Sequence, residues 1–200
     1  NHTNQFNKME TYNYLNEWLA QNLPATVPYD KATAAGMIHA HKVIFLKPCY
    51  GNNGRGVYRA EMKDSGEIHI GQHHFLPQYI VSNISQFQER IQKLIGSKPY
   101  IIQQGIHVKK TSDRIFDIRA LVQKNELGHW SVTNLVSRIA HKGCFNTSIC
   151  ENIRFSESVL QQLYSPDKVS SIQRSIYDLS LRTAEILELH AGYHLGEISV

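Results

Sequence analysis

One lysine and three glycines are spaced to handle an anion. The segment Val43-Ile-Phe-Leu-Lys-Pro-Cys-Tyr-Gly-Asn-Asn-Gly-Arg-Gly-Val-Tyr-Arg59 runs from an apolar stretch into Lys47, passes Gly51, Gly54, Arg55 and Gly56, and re-enters a β-branched and aromatic stretch at Val57. Glycines let the backbone approach anionic oxygens and offer N–H groups to them. A loop of this composition between two strands suits a polyphosphate, and so points to nucleotide binding. Two better-known loops are excluded. A Walker A loop places its lysine after the glycines and opens a helix, and a dinucleotide fingerprint also opens a helix. Here Lys47 comes first, and Asp64-Ser-Gly-Glu67 turns the chain back into Ile68-His-Ile70, giving strand, loop, strand. Protein kinases carry a glycine hairpin too, but their lysine lies on a later strand. A Gly/Asn-rich hairpin turn with a surface lysine fits the same residues, and the loop alone leaves both readings open.

A second group of polar residues falls on a strand pair. Period-two geometry over residues 115–124 puts Phe116, Ile118, Ala120 and Val122 on one face and Asp117, Arg119, Leu121 and Gln123 on the other. A charge on a half-buried strand needs a partner. Asp117 and Arg119 could pair with each other or with a helix end, or Arg119 could present its planar fork to phosphate or carboxylate. On the following strand the same period predicts that Trp130, Val132, Asn134, Val136 and Arg138 share a face. Arg138 then sits near a strand end, as a substrate contact or a solvated arginine. Asn146 follows a possible turn. Eleven histidines raise a metal hypothesis, but the close pairs His39/His41 and His73/His74 have no Cys or carboxylate at a ligand spacing, so no metal site is read. No HExxH, GxSxG or aromatic-basic stripe is present.

The elements that would position these residues follow from periodicity. Met9, Tyr12, Leu15, Trp18, Leu19 and Leu23 predict a helix over 8–23, ended by Pro24 and Pro28. Residues 31–41 suit a short helix leading into the strand at Val43. Ser85 with Gln88 suggests a capping box for a helix carrying Phe87, Ile91, Leu94 and Ile95, stopped by Gly96. Tyr100-Ile-Ile-Gln-Gln104 reads as a buried strand. Residues 115–124 and 129–140 read as a hairpin closed by Asn125-Glu-Leu-Gly128. Ser165 and Pro166 open a last helix lined by Val169, Ile172, Ile176, Leu179, Thr183, Ile186 and Leu187, with Gly192 ending it.

Composition bounds the answer. Two hundred residues with 42% hydrophobic content suffice for one domain or two small subdomains. A net charge of +4 with mixed signs suits an anionic small ligand and is too weak to argue for nucleic acid. No apolar run reaches bilayer length and no signal peptide opens the chain. Three cysteines, Cys49, Cys144 and Cys150, lack a metal spacing, and a reduced, cytoplasmic setting is the simplest expectation. The start at Asn1 without Met suggests an excised segment.

These pieces together resemble the ATP-grasp superfamily, in its endospore-coat-associated YheC/YheD-like branch. The resemblance runs through nearly the whole chain. It is carried by Phe6-Asn-Lys-Met9 with Tyr12 and Leu15, by Leu23-Pro-Ala-Thr26, by the Lys47 strand with Gly51 to Gly56, by Tyr100 to Ile106, and by Phe116-Asp-Ile-Arg119, Gln123-Lys124, Trp130 and Arg138-Ile-Ala140. Each motif is soft; their order and spacing are more specific. The resemblance implies an α+β, ATP-grasp-like fold in which two subdomains with antiparallel sheets grip ATP. Residues 1–40 would lead into the core, 41–103 would form the first subdomain, and 104–200 the second, incomplete at its metal-binding end. It implies phosphate contacts from Lys47 and Lys8, a cover made by Gly51, Gly54, Arg55 and Gly56, adenine contacts near Gln103, Gln104 and Ile106, and catalytic roles for Arg119 and Arg138 at the γ-phosphate or acceptor. ATP with Mg²⁺ would be the cofactors and an unknown carboxylate and amine the substrates, with no nucleic acid or membrane partner. The setting would be cytoplasmic or spore-associated.

Two departures qualify this. The family's magnesium carboxylates, an Asp and then Glu-x-Asn, would begin where the chain ends at Gly196-Glu-Ile-Ser-Val200, with Glu197 the first of them. Thr147-Ser-Ile-Cys150 also replaces a glycine pair expected after Asn146. The leading expectation is an ATP-binding ligase-type module acting through an acyl phosphate and inactive without the missing metal ligands. The alternatives are a non-catalytic structural protein of the spore coat with coat proteins as partners, and a small anion-binding or nucleic-acid-associated domain.

Overall fold

A computed structural model describes residues 7–191 and 196–200. The chain divides into two compact units, Asn1–His107 and Val108–Val200.

The first unit contains α1 (Lys8–Leu19), a 3-10 turn (Ala20–Asn22), β1 (Thr26–Pro28), α2 (Lys31–His41), β2 (Val43–Pro48), β3 (Tyr58–Met62), β4 (Ile68–Gly71), β5 (Tyr79–Val81), α3 (Ile84–Ile95) and β6 (Tyr100–Gln104). Helix starts follow side-chain capping of backbone N–H groups. Asn7 accepts from the Met9 amide to start α1, and Asp30 with Thr33 forms a reciprocal capping box on α2. The cap of α3 is Asn83, which accepts from the Gln86 amide at 3.0 Å, not Ser85. Ser85 lies inside the first turn, and Gln88 is used elsewhere, donating to the Lys31 carbonyl at 2.8 Å. Gly96, at φ +62°, stops α3 as its sequence position suggests.

Six strands form one antiparallel sheet in the order β1-β6-β2-β3-β4-β5. Side chains alternate across it. Ile44, Leu46, Ala60, Met62, Ile68, Ile70, Val81, Tyr100 and Ile102 point to the face that α2 and α3 cover with Ala34, Ile38, Phe87, Ile91 and Ile95. Phe45 and Lys47 therefore turn to the opposite face. Cross-strand register places Gln103 beside Phe45 and Thr26 beside Gln103.

The second unit contains β7 (Lys110–Thr111), β8 (Arg114–Lys124), β9 (Trp130–Ala140), β10 (Cys150–Phe155), α4 (Ser156–Leu160), α5 (Pro166–Ala191) and β11 (Glu197–Ser199). Its strands run β10-β9-β8-β11, with β7 beside β8. The β8–β9 turn is held by Asn125, whose side-chain oxygen accepts from the Leu127 and His129 amides, and by Gly128 at φ +80°. Ala184, Ile176 and Leu181 of α5 pack on Ala120, Val122 and Leu135. The residues expected to share a face on β9 do not all do so. Leu121 pairs with Asn134 and Val122 with Val132, so Thr133 is an extra residue, a β-bulge. The bulge turns Trp130 and Val132 to the α5 side with Leu135, and leaves Asn134, Val136 and Arg138 on the other. Several short elements, β5, β7, β10 and α4, lacked any periodic signal; β10 has five exposed residues in six. Phe6 and Gly192 lie outside the described residues.

Phe87 is fully buried between α3 and the first sheet. Truncating such a ring leaves a cavity, so Phe87→Ala should lower unfolding free energy by about 3–5 kcal/mol, read as a drop in the urea midpoint at unchanged slope.

Candidate functional site

The Lys47 face of the first sheet collects the cationic and loop groups singled out in the sequence. Lys47 is half-buried near the end of β2. Its Nζ donates to Gln103 Oε1 at 2.5 Å and lies 5.8 Å from the centre of the Phe45 ring. Gln103 Nε2 donates to Thr26 Oγ1 at 3.0 Å, and the Thr26 hydroxyl reaches the Pro24 carbonyl at 2.9 Å. Burial, helped by the nearby Lys8 ammonium, pushes the Lys47 pKa down to about 8. Desolvation lowers the Lys8 pKa as well, with the Cys49 thiol opposing.

Lys8 is carried to this place by α1. Its amide donates to the Cys49 carbonyl at 2.9 Å and its Nζ to the Gly51 carbonyl at 2.7 Å. Asn7 adds a contact to the Tyr50 hydroxyl at 3.2 Å. The helix start is thus tied to the mouth of the glycine loop. The loop uses positive φ at Gly51, Asn53, Gly54 and Gly56. Within it the Arg55 and Val57 amides bond back to the Asn52 and Gly54 carbonyls, while the amides of Gly51, Asn52, Asn53, Gly54 and Gly56 have no acceptor among the described residues. The Tyr100 hydroxyl clamps the end of the loop by donating to the Gly56 carbonyl at 3.0 Å. Two desolvated ammonium groups beside N–H groups with no acceptor among the described residues make an arrangement that could hold an anion. Arg55 is exposed at the loop tip.

The residues expected near adenine are placed differently from one another. The Gln103 side chain faces Lys47 and Thr26. The Gln104 side chain folds onto the Ala25 amide, which donates to its Oε1 at 3.3 Å. Ile106 follows the strand and is exposed. Periodicity gave no hint of Thr26 or Tyr100, because strand pairing between distant segments brings them in.

In the second unit, Asp117 pairs with Arg138 of the adjacent strand rather than with Arg119. Arg138 Nε donates to Asp117 Oδ1 at 3.0 Å and its Nη2 to Oδ2, and the Thr147 hydroxyl donates to the same carboxylate at 2.6 Å. The carboxylate holds the Arg138 guanidinium still more firmly protonated. Arg119 is exposed, and its guanidinium has no hydrogen-bond or ion-pair partner among the described residues. Lys124 and the Trp130 indole both bond the Glu188 carboxylate on α5. Glu197 accepts from Gln123. Among the described residues no three His, Cys, Asp or Glu side chains converge on a point that could hold a metal by themselves. None of the described helices is long and apolar enough to cross a membrane.

A sequence profile for YheC/D-like ATP-grasp proteins matches residues 1–200. Two curated relatives from Bacillus subtilis (strain 168) are similar: endospore coat-associated protein YheD, 24% identical over 162 residues, covering 80% of this chain and 35% of that protein, and endospore coat-associated protein YheC, 26% identical over 187 residues, covering 84% of this chain and 49% of that protein. The chain thus spans half or less of these relatives. Among solved structures, D-alanyl-alanine synthetase A from Vibrio cholerae matches with a TM-score of 0.50 at 17% identity, over 98% of this chain and 51% of that one. This likeness concerns the fold: mixed α and β with antiparallel sheets, as expected.

A Cβ added at Gly56 would fall 2.8 Å from the Tyr100 hydroxyl, at a φ of +71°. Gly56→Ala should therefore destabilise by about 1–2 kcal/mol from backbone strain alone, with more from the collision. Tyr100→Phe removes both the hydroxyl and that collision. The double variant should then lose less than the sum of the two single losses, as a denaturation cycle would register.

Proposed function

Because the chain belongs to the YheC/D-like ATP-grasp family, we propose that its first unit binds the triphosphate of ATP at Lys47, Lys8 and the glycine loop. The observation that carries this is the half-buried Lys47 ammonium beside a loop in which the Gly51, Asn52, Asn53, Gly54 and Gly56 amides have no acceptor among the described residues. Lys47 and Lys8 would neutralise phosphate oxygens, and the amides of Gly51, Gly54 and Gly56 would cover them, with Arg55 at the rim. Lys8 would exchange the Gly51 carbonyl for phosphate. Adenine would lie against the strand end near Gln104 and Ile106. The Gln103 side chain has a different task, holding Lys47.

The parent reaction we infer joins a carboxylate to an amine or similar nucleophile. A carboxylate oxygen attacks the γ-phosphorus, ADP leaves, and the amine then displaces phosphate from the acyl phosphate. Catalysis of such a transfer depends on positioning and on positive charge around the moving group. Arg119, exposed and with no side-chain partner among the described residues, has the chemistry to bind an anionic group. Arg138 would contribute only with the donors that Asp117 leaves open. Magnesium, which is usually held by one or two carboxylates together with the phosphates, would supply further charge compensation, and no step is assigned to it. A second reading, a non-catalytic coat protein that still binds nucleotide, is favoured by the names of the relatives and by the engagement of Arg138 with Asp117.

Lys47→Ala should weaken ATP binding by roughly ten- to a hundredfold, the value of a charge-assisted contact, with the fold retained by circular dichroism. Unchanged affinity in calorimetry would remove the phosphates from this site. Phosphate selects the protonated lysine, so binding raises the Lys47 pKa. Affinity should therefore fall as pH rises through about 8. Titrations near that pH in buffers of different ionisation enthalpy should reveal proton uptake, and it should be smaller with Lys47→Ala, Lys8 being left to contribute.

A further inference from the structure

We propose that Thr26 is a positioning residue for Lys47, acting through the side-chain amide of Gln103. Its consequence for ligand affinity rests on the nucleotide reading above; its geometry does not. Thr26 is buried in the first position of β1 and is registered opposite Gln103. The Pro24 carbonyl can only accept, so the Thr26 hydroxyl proton is committed to it. What remains on Oγ1 is acceptor capacity, and Gln103 Nε2 fills it. The amide then has one permitted sense, with Nε2 toward Thr26 and Oε1 toward Lys47. Reversed, it would set N–H groups against an ammonium that has only N–H groups to offer. Three groups in series, from Pro24 through Thr26 to Gln103, thus decide where the lysine finds its acceptor.

That acceptor matters because no other is supplied to Lys47 among the described residues. The charged and titratable groups near it are Lys8 from α1, which repels it, Cys49 just beyond β2, whose thiol burial keeps protonated, and Arg59 and Glu61 on the same face of β3, which bond each other at 2.9 Å. With burial already pressing Lys47 toward its neutral form, an acceptor turned away would let it lose its proton or leave the site.

The test compares Thr26→Val, Thr26→Ser and Gln103→Met with the parent. One readout needs no nucleotide: acylation of Lys47 by limiting acetic anhydride across pH, followed by mass spectrometry. The second is ATP affinity at pH 7 by calorimetry. Thr26→Val keeps the side-chain shape and removes the hydroxyl; Gln103→Met removes the amide from the other side of the relay. Both should move the labelling midpoint down by about one pH unit and weaken ATP binding by roughly tenfold. Thr26→Ser should keep parental values. A parental midpoint in both Thr26→Val and Gln103→Met would overturn the proposal, even if Lys47→Ala abolishes binding. So would a serine variant that shifts as valine does, since packing rather than the hydroxyl would then be responsible. A shifted midpoint in a protein that binds no ATP would support the relay and sink only the nucleotide reading.

Discussion

Desolvation of Lys47 is the constraint to which the rest of the first unit answers. An ammonium taken out of water needs an acceptor or an anion. The sheet provides one acceptor, Gln103 Oε1, and a second cation, Lys8, stands close enough to be felt. The same burial that lowers the lysine's pKa means that a phosphate placed there, as proposed, would meet a less screened field. A fully solvated lysine would be easier to keep charged and weaker as a recognition element.

The glycine loop and α1 complement that cation. The loop's positive φ values leave several amides without an acceptor among the described residues, and Tyr100 fixes one end of it to β6. Lys8 bonds the other end from the first turn of α1. A loop anchored at both ends with free amides between loses less entropy on closing over a ligand than a free one would. The anchors lie far apart in sequence, so the site depends on the register of β1, β6 and β2 as much as on the loop itself.

The second unit has a different polarity. Its sheet is covered on one face by α5, and the other carries Asp117, Arg119 and Arg138. The Asp117–Arg138–Thr147 cluster uses most of one arginine's fork, whereas Arg119 keeps its own. Two arginines that sequence alone treats alike are thereby given unequal chemistry. The bulge at Thr133 contributes to this, because it sets which β9 side chains join that face.

Local patterns made much of this legible. Helical stripes gave α1, α3 and α5, apolar runs gave β2 and β6, alternation gave β8, and the glycine spacing with the preceding lysine gave the hairpin and its candidate anion site. These signals survive in a single sequence because period and backbone freedom are properties of neighbouring residues. Other features depend on residues that meet only after folding. The bulge that reverses Trp130 and Val132, the pairing of Asp117 with Arg138 rather than Arg119, the Asn83 cap, and the chain from Thr26 through Gln103 to Lys47 all arise from strand register and from competition among hydrogen-bond partners. Sequence determined which residues could carry charge and where the chain could bend. Tertiary structure decided which charges are neutralised and which stay available, because a partner is chosen by distance in space, and distance in space is set by the whole sheet.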